Sequence, residues 1–284
     1  MHSGIAGIDH IIVAVRDLER ARDAWVRLGF IPTPRGRHLG HPTANYCIMF
    51  GQDYIELLGS AAADDPGPRL GPFLAKRQGP MQLAFAPNGS AVEARAALLA
   101  SGLNPAEIRP LGRELAGPEG PVVPRFSLID LPPEETPGLN CFVCSHLTPE
   151  LMRRPEWLDH PNGVIGIKGV HILVAETAPL LPAYDQLFGI QHVTTTDAVA
   201  AIQAGPHRLL FSTPDDFMTM HPGIDLDPAF PLPGIVAIDL AIASGSRTAA
   251  FLQGAEIPFR ELAEGTLVVP ASEACGTLLF LSPG

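Results

Sequence analysis

Short apolar runs alternate with amphipathic, helix-length segments along this chain. Residues 8–15 are almost continuously apolar and rich in β-branched side chains, which predicts a strand buried on both faces. Asp17 follows as a helix N-cap. Leu18, Ala21, Trp25 and Leu28 then fall at helical spacing, with Glu19, Arg20, Arg22, Asp23 and Arg27 opposite them. Gly29 stops the helix. Residues 30–33 begin a strand that Pro32 and Pro34 keep short or at an edge. Residues 35–43 are polar and glycine-bearing, hence a solvated loop that includes His38 and His41. Residues 44–50 and 53–58 read as a hairpin about Gly51-Gln52.

That β-α-β-β-β pattern returns. A strand at 81–85 leads through the Ser90 cap to an alanine-rich helix at 91–100, stopped by Gly102, and strands follow at 122–130 and 139–145. Residues 61–78 and 148–163 read as Pro/Gly-containing connectors. A third pass runs from the apolar stretch 169–175 to about residue 214. Its helix carries Pro179 and Pro182, which only a first turn tolerates. After a Pro/Asp-rich connector at 213–233, a fourth pass opens at 235–241, with a helix at 247–253 and strands at 259–262, 266–269 and 276–281. The expected fold class is α+β, four tandem β-α-β-β-β units, divided into an N-terminal domain at 1–163 and a C-terminal domain at 164–284.

Aligned by first strand and stopping glycine, His10, Gln82, His171 and Asp239 correspond. Each is a polar residue inside an apolar strand, and burying such a group without a partner costs on the order of a few kcal/mol. The pattern predicts strands that line an interior cavity.

A net charge of −11 argues against nucleic acid or an anionic membrane as the main partner. Neither a span of about 18 apolar residues nor a secretory signal pattern is present, so a cytoplasmic location is the default expectation. Cys141 and Cys144 have C-x-x-C spacing but sit in a strand, where residues three apart face opposite ways, so buried thiols are expected. No G-x-S-x-G, P-loop or post-strand G-x-G-x-x-G motif appears, which disfavours serine hydrolysis, nucleotide hydrolysis and dinucleotide chemistry.

The repeat, His10 in the first strand and Glu56 within Tyr54-Ile55-Glu56-Leu57 resemble the vicinal oxygen chelate superfamily of glyoxalases, extradiol dioxygenases and antibiotic-resistance proteins. Residues 7–15, 45–58, 146–150 and 155–161 resemble, more narrowly, the glyoxalase-like domain. The resemblance implies two incomplete barrels, each built from two units, around a divalent metal (Zn, Fe, Mn, Ni or Co). It places His10, Glu56 and His146 as metal ligands, with Gln82 completing the set or binding substrate. Asn45, Arg125 and Trp157 are candidate pocket residues. His171 and Asp239 form an alternative second site, but Leu210-Phe211 and Leu279-Phe280 stand where its glutamate is expected, so a degenerate C-terminal barrel is implied. His2, His160, His192, His207 and His221 fall in termini or loops and carry no assignment.

The implied function is a metal-dependent small-molecule enzyme, whether lyase, isomerase or dioxygenase-like. A metal-free protein that sequesters a small apolar compound is the alternative. A homodimer is compatible with either.

Overall fold

The computed structural model of the chain describes residues 4–62, 66–117 and 120–284. The first half runs β1 (Ile5–Ala14), α1 (Leu18–Arg27), β2 (Gly36–His38), β3 (Thr43–Met49), β4 (Tyr54–Ser60), α2 (Gly67–Lys76), β5 (Gly79–Pro87), α3 (Ala91–Ala100), β6 (Arg109–Gly117), β7 (Gly120–Val122), β8 (Arg125–Asp130) and β9 (Cys141–His146). Asp17 caps α1 as expected, accepting from the amides of Glu19 and Arg20, and Ser90 and Glu93 form a reciprocal capping box on α3. The nine strands lie in the order β2-β3-β4-β1-β5-β9-β8-β6-β7, and β2 also pairs with β6. That last pairing, which sets Gly36 opposite Leu115 and His38 opposite Arg113, closes the sheet into a barrel.

Closure corrects two expectations. Residues 36–38 are not a solvated loop but a barrel strand. The polar stretch 109–117, whose pattern signals no strand, is its partner. The barrel is therefore complete rather than incomplete.

The second half runs β10 (Val164–Leu173), α4 (Leu181–Phe188), β11 (Val193–Thr195), β12 (Ala200–Ala204), β13 (His207–Ser212), α5 (Pro214–Met220), β14 (Gly234–Ile242), α6 (Gly245–Gly254), β15 (Arg260–Glu261), β16 (Leu267–Val269) and β17 (Leu278–Pro283). Its sheet, in the order β11-β12-β13-β10-β14-β17-β16-β15, stays open. Helix α5 lies in a stretch read from sequence as a bare connector. Thr213 caps it, accepting from the Asp216 amide, and Phe217 is fully buried.

One apolar core joins the two sheets: Ile8, Val13, Trp25 and Phe85 belong to the same cluster as Val170, Tyr184, Ile238 and Leu240. A buried polar bridge crosses the same junction. The His207 Nδ1 accepts from the Ile8 amide at 3.0 Å, which leaves Nε2–H to donate to Asp53 Oδ2 at 3.1 Å. Asp53 Oδ1 in turn accepts from the Ile167 amide at 3.0 Å. The tight turn before His207 needs Gly205: its φ is +58°, and a Cβ there would sit 1.8 Å from the Ala6 carbonyl oxygen. Among the described residues no helix is long and apolar enough to cross a membrane.

Strand register revises the alignment of the repeats. Ile8 pairs with Phe85 and His10 with Ala84, so Asp9 is an extra residue at a β-bulge. In the second sheet Ile167 pairs with Leu240 and Gly169 with Asp239, so Lys168 is the extra residue. Gly169, not His171, therefore takes the place of His10, and it stands beside Arg208 as His10 stands beside Tyr54. The stopping glycine misplaced His171 by one alternation of the strand, which kept its facing but moved it to the level of Ile12.

His171 consequently sits in an aromatic nest, stacked on Phe280 at 4.8 Å with Phe217 and His221 edge-on. Burial, with His221 nearby, pushes its pKa down to about 3. The fold holds a neutral imidazole, whereas the unfolded chain titrates at about 6.5. Stability from this site is then full above that pH and drains as pH falls towards the folded value. Replacing His171 with Phe should flatten that slope, sparing the variant about 3 kcal/mol of loss between pH 6.5 and 4. Urea midpoints of both proteins across this range check it, and parallel slopes would refute it.

Candidate functional site

The barrel interior holds the polar residues that an apolar strand pattern cannot place. The β1 bulge breaks the alternation of side chains, so Asp9 and His10, neighbours in sequence, both turn inward and are buried. His10 Nδ1 donates to Asp9 Oδ2 at 2.7 Å. In its neutral form the ring then carries its lone pair on Nε2, which lies 3.5 Å from Glu56 Oε2. Tyr54 stacks on the His10 ring at 4.4 Å and holds its plane.

Glu56 comes from the middle of β4, at the opposite side of the pair. Asn45 on β3 donates to Glu56 Oε1, and His38 Nε2 lies 3.5 Å from the same oxygen. His38 itself is fixed by a 2.9 Å hydrogen bond between its Nδ1 and Thr43 Oγ1. Burial opposes ionisation of Glu56, but His38, His10, Arg113 and the Asn45 amide outweigh it and hold the carboxyl below its usual range. Burial also pushes His38 down to about 4, so this imidazole is neutral at neutral pH.

Asp9 is the second hub. His146 at the end of β9 donates from Nε2 to Asp9 Oδ2 at 3.1 Å, and its Nδ1 is buried with no hydrogen-bond partner. Burial again opposes ionisation, but His146 and His10 together keep the Asp9 carboxyl well below the usual carboxylate range. Asp9, Cys144 and His146 offer ligand atoms within 4.8 Å of one another. The Cys144 thiol is pushed far up by burial and by Asp9, so it stays protonated, and this trio reads as a hydrogen-bonded cluster around Asp9.

A cavity of about 190 Å³ opens beside these groups. Its polar wall carries His10, His38, Glu56, Gln82 and Arg113, and its apolar wall includes Ile12, Leu58, Met81, Leu111, Phe126 and Phe142. Gln82 donates from Nε2 to Asn140 Oδ1 at 3.0 Å, which leaves its carbonyl oxygen for the cavity.

Two separate ligands of one tetrahedral ion, each ~2.1 Å from it, lie roughly 3.4 Å apart. The 3.5 Å between His10 Nε2 and Glu56 Oε2 matches that edge. Asp9 behind the histidine and Asn45 behind the glutamate are the outer partners that such ligands need. The residues present therefore fit a divalent cation.

The sequence-based candidates divide. His10, Glu56 and Gln82 meet at the cavity, and Asn45 stands directly behind Glu56. His146 turns to Asp9 rather than to Glu56, one residue removed from the expected ligand edge. Arg125 points outward and is exposed, its backbone amide donating to Thr148. Trp157 is buried in the barrel's apolar interior but does not line the cavity. His171 lies in its aromatic nest while Asp239 accepts from Ser282 Oγ at 2.8 Å, so the two do not form a pair. His160, left unassigned with the loop histidines, is buried and links the Ile31 amide to the Met49 carbonyl.

Asp9, His38 and Arg113 were not chosen from the sequence. Asp9 lies in a strand whose near-continuous apolar pattern singles out only His10 by its repeat, His38 lies in a loop-like polar stretch, and Arg113 lies on a strand with no apolar pattern. The one readable signal was Asp9 itself, a carboxylate inside an apolar run.

A profile of the glyoxalase-like domain family matches residues 8–188. No curated protein matches the chain by sequence. Among solved structures, a hypothetical protein from Staphylococcus aureus is similar at a TM-score of 0.66, with 12% identity over 98% of this chain and 99% of that one. A mutant 4-hydroxymandelate synthase from Streptomyces coelicolor is similar at a TM-score of 0.57, with 12% identity over 98% of this chain and 92% of that one.

Proposed function

The chain belongs to the glyoxalase-like domain family, and from that premise we propose that it is a metal-dependent enzyme acting on a small molecule inside the N-terminal barrel. The observation that supports this most is the buried His10–Glu56 edge, backed by Asp9 and Asn45 and facing a largely apolar cavity. His10 and Glu56 would hold a divalent ion of the Zn, Fe, Mn, Ni or Co group, with His38 or the Gln82 carbonyl in reach of the same cavity. Bound there, the ion would supply Lewis-acid polarisation of a substrate with two adjacent oxygens. The fold-level likeness to 4-hydroxymandelate synthase agrees with dioxygenase-like chemistry, beside lyase or isomerase chemistry.

The chain's own residues do the rest. Asp9 sets the His10 tautomer, Asn45 and His38 fix the Glu56 carboxylate, and Tyr54 keeps the imidazole plane. Ile12, Phe126 and Phe142 exclude water, which strengthens each electrostatic interaction in the cavity. We also read the strand orders as two glyoxalase-like domains, 1–163 and 164–284, each a pair of β-α-β-β-β units.

Elemental analysis of untagged full-length protein after reconstitution should find about one divalent ion per chain. None, with any ion tried, would end the metal reading. Asp9→Asn should weaken the metal by about 10–100-fold, as loss of an outer partner does. Titration against a competing chelator measures it; unchanged affinity would remove Asp9 from that role.

A metal-free sequestering protein is the second reading. It is favoured by the fact that Asp9, His10, His146, Glu56 and Asn45 already satisfy much of one another's bonding. A small ligand that raises the melting temperature equally in chelator and in metal would support it.

A further inference from the structure

Arg113 stands apart from the ligand cluster. It projects from β6 into the barrel and is 2% exposed, yet no described carboxylate lies within 4 Å of its guanidinium. Nη1 meets Cys47 Sγ at 2.9 Å and Nη2 meets Met152 Sδ at 2.5 Å. Sulfur is a weak acceptor. Nε is buried with no partner at all, and Phe126 lies 5.7 Å away as a cation–π neighbour. A buried guanidinium hydrogen-bonded only to sulfur, with Glu56 acting on it from beyond hydrogen-bond reach, is costly, and such groups otherwise take a carboxylate or phosphate in a two-pronged bond.

The cavity shares this bias. In a chain of net charge −11, the described cavity wall carries Arg69, Arg109 and Arg113, while Glu56 is its one acidic member. Arg109 and Arg69 stand towards the exposed rim, both facing Asp130. A divalent ion on His10 and Glu56 together with Arg113 would exceed the Asp9 and Glu56 carboxylates by one positive charge. A single negative charge balances it.

We propose that Arg113 is the anchor for a carboxylate on the substrate, so that the cavity takes a compact monocarboxylic acid with an apolar body. This rests on the reading of the cavity as the substrate site and deepens it. The apolar wall of Ile12, Leu58, Met81 and Phe142 receives the body of the acid. A phosphate dianion fits worse, since its second charge faces Glu56 with no further cation at that depth.

The test uses 2-oxohexanoate and its uncharged methyl ester, titrated calorimetrically into full-length protein, once in chelator and once with metal restored. The acid should bind wild type at least tenfold tighter than the ester with metal restored, and should keep a smaller preference in chelator, where Arg113 acts without the ion. Arg113→Met, which matches its sulfur and aromatic surroundings, should lose that preference and melt no lower than wild type, because it removes an unpaired buried charge. Arg113→Lys should keep part of the preference. Equal binding of acid and ester to wild type overturns the proposal, as does a preference retained in Arg113→Met. A preference that requires metal and vanishes in Glu56→Gln but not in Arg113→Met assigns the carboxylate to the ion instead, and also overturns it. Inorganic phosphate competing as well as the acid would overturn the carboxylate assignment. Absence of metal by elemental analysis defeats the metal reading and leaves the chelator arm standing.

Discussion

Glu56→Gln should fold normally and lose its divalent ion. The substitution keeps the shape and one oxygen, so Asn45 retains an acceptor on β4. It removes the charge that opposes His10 Nε2 across 3.5 Å. Loss of an outer partner weakens metal sites by about 10–100-fold, and loss of a charged ligand should exceed that range. Competition titration against a chelator of known affinity reads the change directly. Circular dichroism and urea midpoints at neutral pH show that the fold survived. Equal metal content in wild type and variant would move the ion away from His10, most directly to Asp9, Cys144 and His146.

His207→Ala should be the most destabilising single change at the junction of the two sheets. It deletes the donor to Asp53 and the acceptor of the Ile8 amide, and both groups are buried. Asp53 keeps the Ile167 amide but loses its lateral partner. Leaving a buried donor or acceptor without its partner costs about 1–3 kcal/mol, and two buried groups lose theirs here. Denaturant melts of wild type, His207→Ala and His207→Gln would measure it, and glutamine, which can donate to Asp53, should recover part of the loss. A cost below about 1 kcal/mol, in the range of an exposed pair, would show the bridge to be incidental.

These two residues also show what a sequence discloses. Glu56 was legible because a carboxylate in an apolar strand contradicts its neighbours, and the strand places it at the centre of the barrel wall. His207 was not, because Gly205 and Pro206 before it signal a turn, and turns are usually wet. The element order was readable in most of its helices and strands, since 3.6 and 2.0 periodicities survive folding. Asp9 was lost to a single bulged residue, which shifts facing without shifting composition. His38 and Arg113 were lost together. Each belongs to a strand that pairs with the other across a long stretch of chain, and neither strand has an apolar pattern of its own. The repeat misled at His171 for the opposite reason: its surroundings preserved the pattern while the register moved by two.

The second sheet shows that a similar strand arrangement need not carry a similar site. Phe217 from α5 and Phe280 from β17 pack against the His171 ring, where the second sheet holds aromatic side chains and no carboxylate. Leu210 takes the place of Glu56 beside this packing, in register with His171 as Glu56 is with Ile12.

The β2–β6 pairing has a consequence in time as well as in space. Gly36 and Leu115 join the two ends of the series formed by β3, β4, β1, β5, β9 and β8, so once those strands are ordered their pairing costs least, and before that it closes a long loop. Closing so long a loop carries its entropy penalty before any contact compensates it, so this step belongs late in folding. His38 rides on β2 and Arg113 on β6, and they are neighbours across that seam. The cavity's neutral imidazole and its buried cation are therefore assembled by the last stitch of the ring, and a chain stalled before that stitch carries His10 and Glu56 in a half-open trough that faces water.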